Sequence, residues 1–252
     1  MSDGQIEALT HQSVDLAVLR QPGAAPTFVW LGGFRSDMAG TKAEALADWA
    51  AARGQGFVRF DYSGHGRSGG RFEEGTLSRW LSDTLAVLES IEGPLVLVGS
   101  SMGGWIALLA ARALPARVKG LLLIAPAADF TERLMWPALS PAEQAAIMAE
   151  GRIEQASQYS ADPNVLTRAL IEDGRKHLLM TGPIAFDGPV RILQGADDPD
   201  VPRAHVEALA ALLRAGDLKM NIISGGDHRL SRPQDIETLR ETAEALAETF
   251  AR

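Results

Sequence analysis

The chain has 252 residues, 46% of them hydrophobic, so it is long enough to bury the core of one α/β domain. Its formal net charge of −8 at pH 7 argues against nucleic acid or an anionic membrane surface as a partner. It has no cysteine, which excludes disulfides, thiolate metal sites and a cysteine nucleophile. We see no signal-peptide pattern and no apolar run near the roughly 18 residues of a membrane span. These features predict a soluble, cytoplasmic protein.

The first part of the chain predicts an antiparallel hairpin, a buried strand and a helix. Apolar residues alternate with polar ones through residues 6–18, which is typical of a hairpin with one face in water. Residues 28–31 form an apolar run that suits a buried strand. Thr41 and Glu44 have the spacing of a capping box, so we expect a helix to begin there and to end at Gly54.

A glycine-rich loop follows the next predicted strand. Residues 57–60 predict that strand, and residues 61–68 read D-Y-S-G-H-G-R-S. His65 is flanked by glycines and could reach a substrate, but we favour a structural loop over a chemical role. Leucines at helical spacing between residues 77 and 91 predict the next helix.

The clearest functional signal lies in residues 95–104, which read L-V-L-V-G-S-S-M-G-G. The apolar run predicts a buried strand, and the residues after it have the apolar spacing of a helix. A G-x-S-x-G motif between a strand and a helix is typical of a nucleophile elbow, with Ser101 at its tip. The backbone amide of Met102, at the N-terminus of the helix, would then donate to a developing oxyanion.

The alternation of strands and helices breaks after a strand predicted at residues 121–125. Residues 127–188 show helical patches but no convincing strand, and we interpret them as a lid inserted over the carboxyl edge of the sheet. A lid needs an apolar underside, although its apolar residues could equally be ordinary core. The residues predicted to line a substrate pocket are Met135, Trp136, Met148 and Leu179.

The alternation resumes after this insertion. Residues 190–194 and 220–223 predict strands, with a helix near residues 204–215 between them. A last helix is expected to be capped by Ser231. Strands that alternate with helices indicate a single α/β domain, residues 1–252, with a mostly parallel, doubly wound sheet.

A nucleophilic serine needs a base, and the base needs an acid that orients it. Of the five histidines, His228 directly follows the last predicted strand, which agrees with the chain order Ser, acid, His of an α/β hydrolase. The others lie in the hairpin, the glycine-rich loop, the lid and a helix expected to face solvent: His11, His65, His177 and His205.

The acid should follow the strand predicted at residues 190–194. Asp197, Asp198 and Asp200 compete for this role in the loop that comes next. Aspartates readily bond their own backbone, so the two that are not the acid are expected to be turn and cap residues. Asp129, after the preceding strand, is a further candidate.

Five stretches spread over most of the chain carry a family resemblance: residues 40–43, 59–64, 76–77 with Trp80, 97–105 and 227–229. They resemble the α/β-hydrolase superfamily, and within it the family of abhydrolase domain-containing protein ten, mitochondrial palmitoyl-protein thioesterases that also cleave acyl glucuronides. The resemblance implies an α/β-hydrolase fold with an inserted helical lid. It selects Asp198 as the acid, because the family's G-x-x-D-x-x-V-P begins here at Gly195. It also implies the backbone amide of Phe34 as the second oxyanion donor, in a loop where glycine replaces the family's histidine.

These residues predict a serine hydrolase that cleaves acyl esters or thioesters, of small molecules or of acylated proteins, without a cofactor or metal. C–C bond hydrolysis, perhydrolysis on the same triad and non-catalytic ligand binding are the alternatives. Arg67, Arg71 and Arg229 could lie near the pocket mouth, but we favour solvated surface charges. The natural substrate and the oligomeric state are left open.

Overall fold

The computed structural model describes residues 5–155 and 164–251. Its strands, in chain order, are β1 Glu7–His11, β2 Val14–Gln21, β3 Ala24–Leu31, β4 Gln55–Phe60, β5 Leu95–Ser100, β6 Val118–Ile124, β7 Arg152–Gln155, β8 Asn164–Thr167, β9 Ile184–Ala185, β10 Val190–Gly195, β11 Leu213–Arg214 and β12 Leu218–Ile223. Its α-helices are α1 Thr41–Arg53, α2 Leu77–Glu89, α3 Met102–Ala113, α4 Trp136–Ala138, α5 Pro141–Glu150, α6 Arg168–Gly174, α7 Arg203–Leu212 and α8 Pro233–Glu248. A π-helical turn spans Thr131–Met135, and 3₁₀ turns span Phe72–Glu74 and Arg175–His177.

Eight strands form the central sheet in the order β1-β2-β4-β3-β5-β6-β10-β12. The pairs β1·β2 and β2·β4 are antiparallel, and the remaining neighbours are parallel. Gln12 and Ser13 turn the first hairpin with positive φ angles of 47° and 64°. The predicted hairpin and the mostly parallel sheet are therefore confirmed.

Hydrophobic side chains cover both faces of the sheet, because successive residues of a strand point to opposite sides. In β5, Leu95 and Leu97 belong to one buried cluster, while Val96 and Val98 belong to the other. Helices α2, α3 and α7 pack on the first face, and α1 and α8 pack on the second. The result is a three-layer α/β/α arrangement.

Two predicted helix caps are wrong. Gly40, with φ −67° and ψ 154°, is the N-cap of α1, and Thr41 already lies inside the first turn without capping it. Helix α8 begins after Arg232, whose amide donates to Asp235 Oδ2 at 3.1 Å, and not at the predicted cap Ser231. In both places a neighbouring residue adopts the extended N-cap conformation instead.

The segment between β6 and β10 contains short strands as well as helices, so the expectation that it lacks strands is wrong. Strands β7 and β8 pair with each other in an antiparallel hairpin, and β9 pairs with β11. None of these strands joins the central sheet. Strands of two to four residues carry too little periodicity to be recognised in a sequence. Residues 156–163, which belong to the predicted lid, lie outside the described residues.

Candidate active site

Ser101 lies at a sharp turn between β5 and α3, with φ 54° and ψ −118°. A residue other than glycine in this region carries backbone strain of roughly 1–3 kcal/mol, so the surrounding packing has to hold it there. Glycines make the turn possible. A Cβ at Gly99 would collide with the carbonyl oxygen of Gly103, and a Cβ at Gly103 would collide with that of Leu31. The predicted strand, tight turn and helix are thus present.

The structure brings three predicted side chains into one hydrogen-bonded row. His228 Nδ1 lies 2.8 Å from Asp198 Oδ2, and His228 Nε2 lies 3.1 Å from Ser101 Oγ. A carboxylate only accepts hydrogen bonds, so the proton of the neutral imidazole is on Nδ1. Nε2 is then the basic nitrogen, directed at the serine hydroxyl.

The Asp198 carboxylate is held on both oxygens in a buried position. Burial alone would raise its pKa, but the hydrogen bond with His228 and those from the amides of Val201 at 2.8 Å and Asp200 at 2.9 Å outweigh burial. The pKa of Asp198 therefore lies below its usual value. The carboxylate is consequently ionised at neutral pH, as an orienting acid has to be.

The competing aspartates occupy different environments. Asp197 is exposed, and its backbone amide donates to Gly226 at 2.9 Å. Asp129 is fully buried and accepts the amides of Leu179 and Met180, each at 2.8 Å. Asp129 therefore ties two distant parts of the 127–188 segment together, and its carboxylate is occupied by this structural role.

Three other histidines have partners away from Ser101. His11 lies 2.8 Å from Ser82 Oγ, and His177 lies 2.7 Å from Ser78 Oγ. His205 was expected on a helix face in solvent, but its ring is mostly enclosed and burial lowers its pKa. That expectation is wrong because the His205 side chain turns back from α7 and bonds the backbone of Ala128, next to Asp129.

The predicted oxyanion donors lie beside the serine. Phe34 and Met102 line the same cavity as Ser101 and His228. A Cβ placed on Gly33 would lie 3.4 Å from the Ser101 Cβ, so the loop after β3 passes close to Ser101. Among the described residues, neither the Phe34 amide nor the Met102 amide has a hydrogen-bond acceptor. Both amides are available to a ligand.

The cavity that Ser101 lines has a volume of about 720 Å³, and its lining contains both apolar and charged side chains. One wall is apolar and is formed mainly by the 127–188 segment, through Phe130, Leu134, Met135, Ala138, Leu139 and Leu166. The lining also includes the cationic residues Arg35, Lys42 and Arg229 together with Asp200. The cavity therefore offers contacts to both apolar and polar groups of a ligand.

Of the four predicted pocket residues, only Met135 lines the cavity. Trp136 packs in a small apolar cluster with the Arg175 guanidinium 5.1 Å from its ring centre. Leu179 is buried in the main core, and the side chain of Met148 is 39% exposed. The prediction is therefore wrong for these three residues, because apolar character in an irregular segment does not show which side faces the cavity.

Sequence reasoning missed Lys42 as a residue that lines the cavity. Lys42 Nζ donates to the carbonyl oxygen of Arg229, and burial lowers the pKa of Lys42 to about 8. Lys42 lies in one of the stretches that carry the family resemblance, which is the signal that could have identified it. Arg229, interpreted as a surface charge, is exposed and also lines the cavity. Arg71 is exposed and pairs with Glu73 at 3.6 Å.

Three side chains at this site have the composition of a metal-binding group. Each of them offers one ligand atom, and these three atoms lie within 4.8 Å of one another; the residues are Asp198, Asp200 and His228. However, Asp198 and His228 are already hydrogen-bonded to each other. A cation bound here would compete with that bond.

Comparisons with known proteins agree with this architecture. The family model described as serine aminopeptidase, S33, matches residues 29–235. The palmitoyl-protein thioesterase ABHD10 of Mus musculus, a mitochondrial protein, is 35% identical over 94% of this chain and 80% of its own length. The solved structure of mouse α/β hydrolase domain-containing protein 10 has a TM-score of 0.90 at 33% identity, over 98% of this chain and 100% of that one. The crystal structure of a protein described as a hydrolase, from Agrobacterium vitis S4, has a TM-score of 0.91 at 48% identity, over 97% of this chain and 98% of that one.

The comparisons also correct the predicted location. Five curated relatives from different mammals all carry the name of mitochondrial ABHD10, so the expectation of a cytoplasmic protein is wrong. Among the described residues, none of the helices combines the length and the apolar composition that a membrane span requires. The extent of the sequence and structural matches shows that this chain belongs to the serine hydrolases of the α/β-hydrolase fold, in the family that includes ABHD10.

Proposed function

We propose that the chain hydrolyses acyl esters or thioesters, with Ser101 as nucleophile, His228 as general base and Asp198 as the acid that orients the imidazole. The observation that carries this proposal is the row of hydrogen bonds at 3.1 Å and 2.8 Å that ends on a strained serine in a cavity. A histidine within hydrogen-bond reach of a serine, and itself oriented by a carboxylate, is the arrangement that activates a hydroxyl group.

The reaction has two balanced halves. Ser101 Oγ attacks the acyl carbon while its proton moves to His228 Nε2, and a tetrahedral oxyanion forms. When the intermediate collapses, the bond to the leaving oxygen or sulfur breaks and His228 returns the proton to the leaving group. Water then attacks the acyl-enzyme with His228 again as base, and this step releases the acid and free Ser101.

The amides of Phe34 and Met102 would stabilise the oxyanion in both halves. Backbone donors are fixed before the reaction starts, so they need no reorganisation as negative charge develops. Removal of one such donor in a related site typically lowers kcat by roughly 10² to 10³-fold. The absence of a competing acceptor for either amide among the described residues supports this role.

The mixed apolar and cationic lining of the cavity suggests how a substrate lies in it. The apolar wall would take the acyl chain, with Leu134 and Met135 beside it, and residues 127–188 would act as a lid. Lys42 and Arg229, which line the cavity and contact each other, would take the leaving group. A long acyl chain on a thioester agrees with the name of the ABHD10 relatives, palmitoyl-protein thioesterases. The substrate is a small acylated molecule or an acylated protein.

The test is a substrate panel that also covers the alternatives. It contains p-nitrophenyl esters and acyl-CoA thioesters of two to sixteen carbons, an aminoacyl anilide, a C–C hydrolase substrate and a perhydrolysis assay. We expect esters and thioesters to be cleaved and Ser101→Ala to lose about 10⁴ to 10⁶-fold in kcat. Ser100→Ala, at the neighbouring serine, is the matched control. Turnover of only the anilide or only the C–C substrate would contradict the proposal.

A further inference from the structure

The loop after β3 is held by the glycine-rich loop 61–68, although neither loop contains a predicted triad residue. Tyr62 donates its hydroxyl to the carbonyl oxygen of Gly32 at 3.3 Å. Arg35 donates its backbone amide to His65 Nε2, also at 3.3 Å. These two bonds lie on either side of Phe34, the residue whose amide we assign to the oxyanion.

The backbone at this point needs outside support. Ser36 donates its amide to Gly33 at 3.1 Å, which closes a tight turn with Phe34 and Arg35 at its centre. Arg35 has a φ of 58°, a conformation that favours glycine in such turns and is strained for arginine. Rotation of the peptide between Phe34 and Arg35 would relieve this strain. It would also turn a carbonyl oxygen toward His65 in place of the Arg35 N–H.

His65 is itself fixed in position. Its side chain is only 4% exposed, and its ring makes edge contacts with Phe72 at 5.1 Å and Trp80 at 5.2 Å between ring centres. The Phe34 ring packs on the same two aromatic residues, at 4.9 Å and 5.9 Å. The acceptor nitrogen and the side chain of the oxyanion residue therefore rest on one shared aromatic support.

The protonation state of His65 suits an acceptor. Its Nδ1 lies 3.3 Å from the carbonyl oxygen of Ser63, which can only accept, so the ring proton is on Nδ1 and Nε2 carries a lone pair. Burial, together with the nearby charge of Arg35, lowers the pKa of His65 to about 4, and the hydrogen bond with Ser63 only partly opposes this shift. The imidazole is therefore neutral at the pH of an ordinary assay.

We propose that His65 is a positioning residue for the oxyanion hole, because it accepts the Arg35 amide and so keeps the turn in the conformation that presents the Phe34 N–H to the reacting carbonyl. This inference rests on the proposed function, since it assumes an oxyanion at Ser101. His65 does not touch the substrate. It acts through the backbone of the turn, with Tyr62 as a second anchor.

The experiment compares His65→Phe, which keeps an aromatic ring without the acceptor, with His65→Gln, whose amide oxygen can replace Nε2 as acceptor. His11→Phe, in the first hairpin, is the matched control for loss of a histidine. For each variant we would measure kcat and KM on an ester that the wild type cleaves. The Ki of an alkyl boronic acid, which forms a tetrahedral anion on a nucleophilic serine, reports the oxyanion hole directly.

We expect His65→Phe to lower kcat by about 10 to 100-fold, less than complete loss of one oxyanion donor, with KM changed by less than about threefold. The boronate Ki should rise by a similar factor. His65→Gln should return kcat to within about fivefold of wild type, and His11→Phe should match wild type. A purely structural role would lower the folded fraction without this split between kcat and KM.

Several outcomes would overturn the inference. One is a kcat of His65→Phe within twofold of wild type, and another is equal impairment of His65→Phe and His65→Gln. If His65→Phe does not fold, Tyr62→Phe tests the inference in its place. An unchanged kcat and an unchanged boronate Ki in Tyr62→Phe would contradict a turn that is held from both sides. If the wild type cleaves neither esters nor thioesters, that result contradicts the proposed function instead. Failure of the His65 inference can therefore be distinguished from failure of the proposed function.

Discussion

At the Asp198 carboxyl, burial and hydrogen bonding act in opposite directions, and the hydrogen bonds dominate. Asp198→Asn keeps the size of the side chain but can place an amide N–H opposite His228 Nδ1. That would favour the imidazole tautomer with its proton on Nε2, which cannot accept the serine proton. We expect kcat to fall by about 10⁴-fold, the loss that this substitution causes in serine proteases.

Asp197→Asn is the matched control for this prediction, because Asp197 is exposed and adjacent in the chain. Its kcat should stay within about twofold of wild type. Steady-state kinetics on one ester measures both variants. Similar losses in the two variants would show that the orienting acid has been misassigned.

Burial of the His65 ring predicts how the free energy of unfolding changes with pH. The pKa of His65 is about 4 in the folded state, below the value of about 6.5 expected in the unfolded chain. Between these values the unfolded chain binds a proton that the folded protein does not. The contribution to stability is therefore complete above pH ~6.5 and is lost as the pH falls toward about 4, by roughly 2–3 kcal/mol.

Urea unfolding of wild type and His65→Gln at pH ~7 and ~4.5 tests this prediction. Between pH ~7 and ~4.5, the free energy of unfolding of wild type should fall by roughly 2–3 kcal/mol more than that of the variant. His177 and His205 also have lowered pKa values, but they contribute equally in both proteins. Parallel pH dependence of the two proteins would mean that His65 does not titrate as its burial implies.

Element by element, the sequence predicted those parts of the site that belong to regular structure. Ser101 could be identified because its motif stands between a strand and a helix, and His228 because it directly follows the last strand. Lys42 could not be assigned from local patterning. It lies in the first turn of α1 and reaches Arg229 at the other end of the chain, a contact that only the tertiary fold creates.

The 127–188 segment was the least predictable part of the fold. Its helices and short strands pack on each other around Leu139, Ile147 and Leu166, a cluster separate from the two faces of the sheet. Side-chain direction in such a segment depends on this small cluster and not on a simple period. Composition therefore identified an apolar insertion, but it could not show that Met135 faces the cavity while Met148 faces solvent.

At the scale of this insertion, Met135→Ala should reduce the preference of the enzyme for long acyl chains over short ones. Each acyl methylene buried on the apolar wall could contribute ~0.8 kcal/mol, so the octanoyl ester should be favoured over the acetyl ester in wild type. Loss of the Met135 side chain should lower kcat/KM for octanoyl by about tenfold and leave acetyl nearly unchanged. Met148→Ala is the matched control and should behave like wild type. An equal effect of Met135→Ala on both esters would contradict an acyl-binding wall.

For the whole molecule, we propose that the sheet, its two helical layers and the insertion form one cooperative unit. The two main clusters share the strands β3, β4, β5, β6 and β10, and Phe34 and Met135 pack against both the first cluster and the cluster of the insertion. Unfolding in urea should then show a single transition. Far-ultraviolet circular dichroism, tryptophan fluorescence and loss of esterase activity should have the same midpoint. A separate early transition that abolishes activity while the circular dichroism signal persists would show that the insertion unfolds independently.

The central claim is that Ser101 is a nucleophile activated by His228, and covalent labelling with a fluorophosphonate tests it most directly. The probe reacts with an activated serine and leaves a phosphonyl group that peptide mass spectrometry can locate. The account predicts a label on Ser101 of the wild type, no label in Ser101→Ala, and labelling slowed by at least about 100-fold in His228→Ala. A label on Ser100, persistent labelling of Ser101→Ala, or unchanged labelling of His228→Ala would contradict it.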